Sequence, residues 1–215
     1  MFHDLSSRPG MLGVYIAELR DQTMQTDRMR FRRNLERVGE CMAHAIAETL
    51  DFRRTEVVTP LGDAAGVALV DQPVLATILR AGLPMHQGFL HVFDAADNAF
   101  VSAYRKYAEG GEFEIELEYA STPDLEGRTL ILIDPMLATG ASMIKVLHAL
   151  LERGTPARII VVGAIASREG IAALRQGAPK GTEIWVAAVD DETTAKGYIV
   201  PGLGDAGDLA FGSKL

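Results

Sequence analysis

The chain has 215 residues with 29 acidic and 21 basic side chains, a formal net charge of −8, which excludes nucleic-acid binding through a broadly basic surface. Its 48% hydrophobic content is enough to form the core of a single domain, and no apolar run approaches the ~20 residues of a membrane-spanning helix. The opening MFHDLSSRPG lacks a basic-then-apolar secretory pattern, and the lone Cys41 excludes an internal disulfide, so we expect a cytoplasmic protein.

A long amphipathic helix is the first element that the pattern predicts. From Met29 onward, apolar residues recur at steps of three or four positions, which marks one face of a helix. This stripe consists of Phe31, Leu35, Val38, Met42, Ile46 and Leu50. Thr26 or Asp27 would cap its start.

Short apolar runs alternate with helical stretches over the rest of the chain. The expected strands are 74–79, 129–133, 158–164 and 184–189, and the expected helices are 85–92, 141–151 and 169–175. Runs such as TLILI, RIIVVGAIA and EIWVAAV are apolar throughout, so both faces of these strands should be covered. The pattern predicts an α/β fold built on a doubly wound, mostly parallel sheet.

Residues 98–120 depart from this rhythm. They predict two strands around Gly110 and Gly111, the second of which alternates apolar residues with glutamates, as in a hairpin with one solvated face. Such an insertion is either a flap over a site at the sheet edge or an edge extension or subunit contact, and both interpretations stay open.

The stretch ILIDPMLATGAS, 131–142, carries the clearest chemical signal. A buried strand ends in Asp134, a short loop follows, and a helix begins near Gly140 or Ala141. The N–H groups of 138–142 would converge at the helix N-terminus and form a phosphate cradle, while Asp134 could accept hydrogen bonds from sugar hydroxyls. The alternative is a helix start without a ligand. A nucleoside triphosphate P-loop is excluded, because the loop has no Gly-Lys pair.

These motifs make a family resemblance visible. A strand ending in Asp134 and followed by an ATG loop resembles the phosphoribosyltransferases, whose loop holds the 5-phosphate of 5-phospho-α-D-ribose 1-diphosphate (PRPP). Pro135, in place of a second acid, is similar to the uracil phosphoribosyltransferase branch. ILRAGLPM at 78–85 and GYIVPGLGDAGDLAFG at 197–212 resemble two further segments of that family. Ser167-Arg168 stands where the family commonly has Ala-Pro.

The resemblance implies a fold, a reaction and partners. It implies a single type I phosphoribosyltransferase domain over 1–215, with N-terminal helices, the hairpin 98–120 as a flap and 197–212 as the base-binding loop. The implied reaction is uracil plus PRPP giving UMP plus pyrophosphate in pyrimidine salvage, by a homodimer or higher homo-oligomer. The implied cofactor is Mg²⁺, which would arrive with PRPP rather than on protein ligands.

The same resemblance assigns roles to individual residues. It gives catalytic roles to Arg105, Asp134 and Asp205. It gives PRPP binding to Arg80, Arg105, Asp134, Pro135, Met136, Leu137, Ala138, Thr139, Gly140, Ala141, Ser142 and Asp205. It gives uracil binding to Ile199, Gly204, Asp205 and Ala206. Backbone donors and acceptors in this loop can match the carbonyl and N–H groups of uracil, whereas cytosine would place a donor against a donor.

Several alternatives accompany this hypothesis. The glycines of 202–207 form a G-x-G-x-x-G pattern, but only eight residues follow it, which excludes a dinucleotide-binding βαβ unit. The basic run Arg28, Arg30, Arg32, Arg33 and Arg37 could hold a GTP-like effector or could be a solvated helix face. The runner-up functions are transfer to another nucleobase and RNA binding by a regulator with the phosphoribosyltransferase fold.

Overall fold

The computed structural model describes residues 1–7, 9–107 and 113–213, with the backbone alone for 103–107 and 113–117. The helices are α1 (Met11–Arg20), α2 (Arg28–Ala47), α3 (Leu83–Val92), α4 (Ala141–Leu151), α5 (Arg168–Gly177) and α6 (Ala206–Phe211). The strands are β1 (Phe2–Asp4), β2 (Phe52–Thr59), β3 (Gly62–Leu69), β4 (Val74–Leu79), β5 (Asp97–Tyr107), β6 (Phe113–Ser121), β7 (Thr129–Ile133), β8 (Met136–Leu137), β9 (Arg158–Ser167), β10 (Glu183–Asp190), β11 (Glu192–Thr193) and β12 (Ile199–Val200).

The central sheet has the strand order β1-β10-β9-β7-β4-β5-β6, with β8 also paired to β9. Its neighbours run parallel, apart from the antiparallel pair of β5 and β6. The mostly parallel sheet and the inserted hairpin predicted from the sequence are therefore confirmed.

Helices cover both faces of this sheet. Leu75 and Ile131 belong to one apolar cluster, which includes Phe31 of α2 and Phe89 of α3. The adjacent strand positions, such as Val74 and Leu130, pack instead with side chains of α4 and α5. Because successive residues of a strand point to opposite faces, strands covered on both sides are apolar throughout. The doubly wound arrangement is confirmed.

The strongest predicted boundaries agree with the structure. The strands at 74–79 and 129–133 and the helix at 141–151 are found with those limits, and the last two predicted strands extend by one to three residues. Asp27, one of the two candidate caps, holds the start of α2, since its carboxylate accepts the N–H groups of Met29 at 2.9 Å and Arg30 at 3.1 Å. Within the described residues, no helix is both long and apolar enough to cross a membrane.

The hairpin of β5 and β6 continues the sheet edge and then extends past it. Residues 97–102 pair in register with β4, and the last pair joins Ser102 to Leu79. Beyond Ser102 the strand pairs with β6 alone, past the carboxyl end of β4. The predicted turn at Gly110 and Gly111 lies outside the described residues.

A second hairpin was missed by the sequence analysis. Strands β2 and β3 pair antiparallel from Phe52–Leu69 to Thr59–Gly62 and form a separate two-stranded sheet. Large apolar side chains on it are open to solvent, with Val58 84%, Leu61 100% and Val67 72% exposed. This arm has no apolar core of its own.

Candidate active site

A cleft of about 550 Å³ lies at the carboxyl ends of β4 and β7. Residues 78–81, 134–143 and 197–207 contribute its lining, so the structure brings together three segments that the sequence singled out separately. Ligands of open α/β sheets bind at this edge. The cleft is therefore the candidate active site.

The loop after β7 leads directly into α4. Gly140 adopts φ +77° and precedes the first helical residue, Ala141. It provides no capping side chain, and the nearest substitute is the Thr139 hydroxyl, which accepts the Ala141 N–H at 3.5 Å. The helix N-terminus thus keeps amide donors and the positive end of its dipole for an anion.

The predicted PRPP residues of this loop divide into two groups. The residues that line the cleft are Asp134, Met136, Leu137, Ala138, Thr139, Gly140 and Ser142. Pro135 and Ala141 are not among its lining residues; the Pro135 carbonyl instead accepts the N–H of Ile165 at 2.9 Å. Pro135 and Ala141 therefore contribute to the backbone of the loop and not to the surface of the cleft.

Asp134 has an altered acidity. Burial raises its pKa from 3.8 to about 7, the N–H of Met136 opposes that rise, and the negative charge of Asp205 adds to it. The Met136 hydrogen bond is 3.3 Å long. Near neutral pH, this carboxyl group can therefore accept or release a proton, a property concentrated at functional sites.

Arg80 enters the cleft from the end of β4. Its Nη2 atom donates to Asp208 Oδ1 at 3.2 Å and to the Gly212 carbonyl at 3.1 Å. Its Nε atom is buried and has no hydrogen-bond partner among the described residues. A buried guanidinium N–H without a partner is costly, and its burial means that a ligand would reach this atom only after the side chain shifts.

The C-terminal loop supplies the remaining wall. All four residues predicted to bind uracil line the cleft, namely Ile199, Gly204, Asp205 and Ala206. The Asp205 carboxylate caps α6 by accepting the Asp208 N–H at 2.9 Å. Among the described residues, no hydrogen bond engages the N–H or C=O group of Gly204. Gly204 therefore lines the cleft with both backbone groups unpaired among the described residues.

Two predicted features lie elsewhere or outside the description. The side chain of Arg105 is outside the described residues, so its role stays a prediction. Four of the five arginines in the basic run have partners within the chain. Arg30 pairs with Glu18, Arg32 with the Ala210 carbonyl, Arg33 with Glu36, and Arg37 with Asn34. These contacts are those of a helix face paired within its own chain, and the effector site stays a prediction.

Ser167 is a supporting residue that the sequence analysis did not identify. Its hydroxyl donates to the Ala138 carbonyl and accepts the Gly170 N–H at 2.8 Å, which caps α5. The backbone of Gly170 lies so close to the loop that a Cβ atom there would be 2.3 Å from the Ala138 oxygen. A serine just before a helix is a capping signal, and it was the available clue.

Comparisons with known proteins agree with this geometry. A profile of the uracil phosphoribosyltransferase family matches residues 9–213. A uracil phosphoribosyltransferase of Porphyromonas gingivalis is 50% identical over 211 residues, covering 98% of both chains. One from Methanothermobacter thermautotrophicus is 44% identical, with 85% of this chain and 83% of the relative covered.

Solved structures extend the comparison to the fold. The AQ2163 protein of Aquifex aeolicus superimposes with a TM-score of 0.86 at 29% identity over 100% of both chains. An orotate phosphoribosyltransferase of Mycobacterium tuberculosis gives 0.50 at 12% identity, over 87% of this chain and 95% of that one, and supports the fold alone. With the family profile spanning nearly its whole length and its motifs gathered at one cleft, the chain belongs to the uracil phosphoribosyltransferase family.

Proposed function

We propose that this chain transfers the phosphoribosyl group of PRPP to uracil. The base nitrogen N1 forms a bond to the anomeric carbon, the bond from that carbon to pyrophosphate breaks, and the N1 proton is released. The products are UMP and pyrophosphate. The observation that carries the proposal is the cleft that three motif segments line together, in a chain of this family.

The phosphate loop would hold the ribose 5-phosphate. Amide groups at the start of α4 donate to its oxygens, as helix N-termini do for phosphates. Asp134, at the end of β7, would accept hydrogen bonds from the ribose hydroxyls, and its ionised form is the stronger acceptor. Ser167 would keep the loop in place through the Ala138 carbonyl.

The pyrophosphate would meet Arg80. The contacts of this guanidinium with Asp208 and the Gly212 carbonyl hold it at the cleft before substrate binds. Preorganised donors aimed at a leaving group that gains charge lower the barrier without rearrangement. Arg105 on the hairpin is a second candidate, by family resemblance.

Mg²⁺ fits this site only as a shared ion. Among the described residues there is no cluster of three or more His, Cys, Asp or Glu side chains that could hold a metal, and the cleft offers the carboxylates of Asp134 and Asp205. Mg²⁺ keeps several waters and binds substrate phosphates with one or two carboxylates, which matches this donor set. When bound, it would neutralise charge on the leaving pyrophosphate.

The base would lie against the C-terminal loop. Backbone groups of Ile199, Gly204 and Ala206 would pair with the edge of uracil, which presents both donors and acceptors. Asp205 would act on the PRPP side of this loop. Because a mismatched base leaves buried polar groups unpaired, this frame should discriminate strongly against cytosine.

The decisive experiment measures pyrophosphate release from PRPP and Mg²⁺ with a panel of bases. Release that depends on uracil, with UMP as product, supports the proposal, whereas turnover with a purine in place of uracil contradicts it. Asp205→Ala should abolish turnover. Asp205→Asn distinguishes the capping of α6 from the negative charge, because asparagine keeps the helix cap and removes the charge. A wild-type rate in this variant would contradict a role for the carboxylate charge in turnover.

We also propose that the protein works as a homo-oligomer. The exposed arm of β2 and β3 supports this, because an isolated two-stranded hairpin is at best marginally stable in water and this one exposes Val58, Leu61 and Val67. A second copy of the chain would cover these side chains. Location in the cytoplasm stays a prediction of the sequence.

A further inference from the structure

The end of α1 and the end of β10 are joined by a paired arginine and carboxylate. Arg20 Nη1 lies 2.8 Å from Asp190 Oδ2, and Arg20 Nη2 lies 2.8 Å from Asp190 Oδ1. Asp190 is only 7% exposed. Two parallel charged hydrogen bonds of this kind fix orientation as well as distance.

Both partners also bind the backbone of one residue, Gly202. Its N–H donates to Asp190 Oδ2 at 2.9 Å, and its carbonyl accepts from Arg20 Nη1 at 2.9 Å. Gly202 has φ +56°, and a Cβ atom there would lie 2.1 Å from the carbonyl oxygen of Ile199. The chain therefore folds tightly back on itself at the point where the ion pair holds it.

This position matters because Gly202 lies between the proposed base-binding residues Ile199 and Gly204. Neither Arg20 nor Asp190 belongs to the described residues that line the cleft. Any effect of the pair on the base must therefore pass through the loop backbone.

We infer that Arg20 and Asp190 are positioning residues that hold the C-terminal loop in its base-binding form and so set the affinity for uracil. The inference rests on the proposed function. Loss of the pair lowers the fraction of protein in the competent loop conformation, and the apparent affinity for the base falls in proportion to that fraction. The loop that would bind the ribose 5-phosphate follows β7 and receives no hydrogen bond from either side chain. PRPP binding should therefore change less than uracil binding, and only through Asp205, which belongs to the held loop.

The chain offers a matched control pair. Arg158 contacts Glu183 through Nε at 2.7 Å and Nη2 at 2.9 Å, and it also donates to the Thr49 carbonyl at 2.9 Å. Arg158 and Glu183 are the first residues of β9 and β10, at the sheet edge opposite the cleft. Its loss removes the same kind of interaction without touching the loop.

The test compares Arg20→Met, Arg20→Lys, Asp190→Asn and Arg158→Met by steady-state kinetics and by hydrogen exchange of the peptide 199–207. For Arg20→Met and Asp190→Asn we expect at least a tenfold rise in the KM for uracil, a clearly smaller rise in the KM for PRPP, and faster hydrogen exchange of the peptide. Arg20→Lys keeps the charge and should recover part of the uracil affinity. Arg158→Met should lower the melting temperature and leave the uracil KM and the exchange unchanged.

Three outcomes would overturn the inference: unchanged exchange in the Arg20 and Asp190 variants, equal changes in both KM values, or the same uracil defect in Arg158→Met. Arg20→Lys and Asp190→Asn keep the comparison valid if Arg20→Met does not fold. If the wild-type protein shows no uracil-dependent turnover, both the proposed function and the uracil role of the pair are refuted. If the wild-type protein is active but hydrogen exchange of the peptide 199–207 is unchanged in the Arg20 and Asp190 variants, only the inference is refuted.

Discussion

Replacing Asp134 with asparagine should stabilise the fold at neutral pH while lowering activity. Burial raises the pKa of this carboxyl from 3.8 to about 7. Ionising the group therefore costs about 4 kcal/mol more in the folded protein than in the unfolded chain. Because the folded pKa lies above the unfolded one, the folded state favours the protonated group. The resulting stabilisation is complete below about pH 4 and is lost as the pH rises through about 7.

The measurement is urea unfolding of both proteins without ligand at pH 5 to 8. The free energy of unfolding of the wild type should fall by about 3 kcal/mol relative to Asp134→Asn over this range, since other titrating groups are common to both. Asp205→Asn removes the like charge and so lowers the pKa of Asp134 in the folded protein; the divergence should become smaller and end at a lower pH. Parallel stability profiles from pH 5 to 8 would refute the reasoning. In the activity assay, each charged hydrogen bond lost to the ribose should cost about 2 kcal/mol, or ~30-fold in kcat/KM for PRPP.

Three further predictions concern the loop supports and the arm. Gly170→Ala places a Cβ atom 2.3 Å from the Ala138 carbonyl oxygen, so it should raise the KM for PRPP and lower the melting temperature. The control is Gly13→Ala, which has open space around its Cβ atom and should neither raise this KM nor lower the melting temperature. Ser167→Ala should cost about 1 kcal/mol of unfolding free energy through the lost cap and raise the KM for PRPP but not for uracil; equal changes in both would contradict its assignment to the phosphate loop. Leu61→Glu should reduce the mass seen by light scattering, and an unchanged mass would argue against the arm as the contact.

The parts of the fold that the sequence predicted are those with a buried face. Strands β4 and β7 are apolar throughout because helices cover both of their sides, and the stripe along α2 reflects a single buried face. The two strands of the β2–β3 arm were not predicted, because most of their residues are exposed and neither face carries a continuous apolar row. Periodicity reports burial, and an element that buries little apart from Leu69 at its end shows no apolar pattern in its sequence.

The site divides in the same way. Local motifs singled out the loop after β7 and the C-terminal loop, which both line the cleft, because the residues that shape each loop are adjacent in sequence. Their supports are remote: Ser167 is 29 positions from Ala138, and Arg20 is 182 positions from Gly202. Contacts over such separations depend on the packed arrangement of helices and strands, which no local pattern encodes.

The charges of the cleft explain how an acidic chain can bind a highly anionic substrate. Of its described lining residues, one is cationic, Arg80, and two are anionic, Asp134 and Asp205. These side chains alone therefore do not balance PRPP. We propose that the remaining attraction comes from the amides at the start of α4, from Arg105 as the family resemblance implies, and from a cation bound to the substrate. Because these sources act over short distances, a net charge of −8 describes the surface of the protein without describing its binding site.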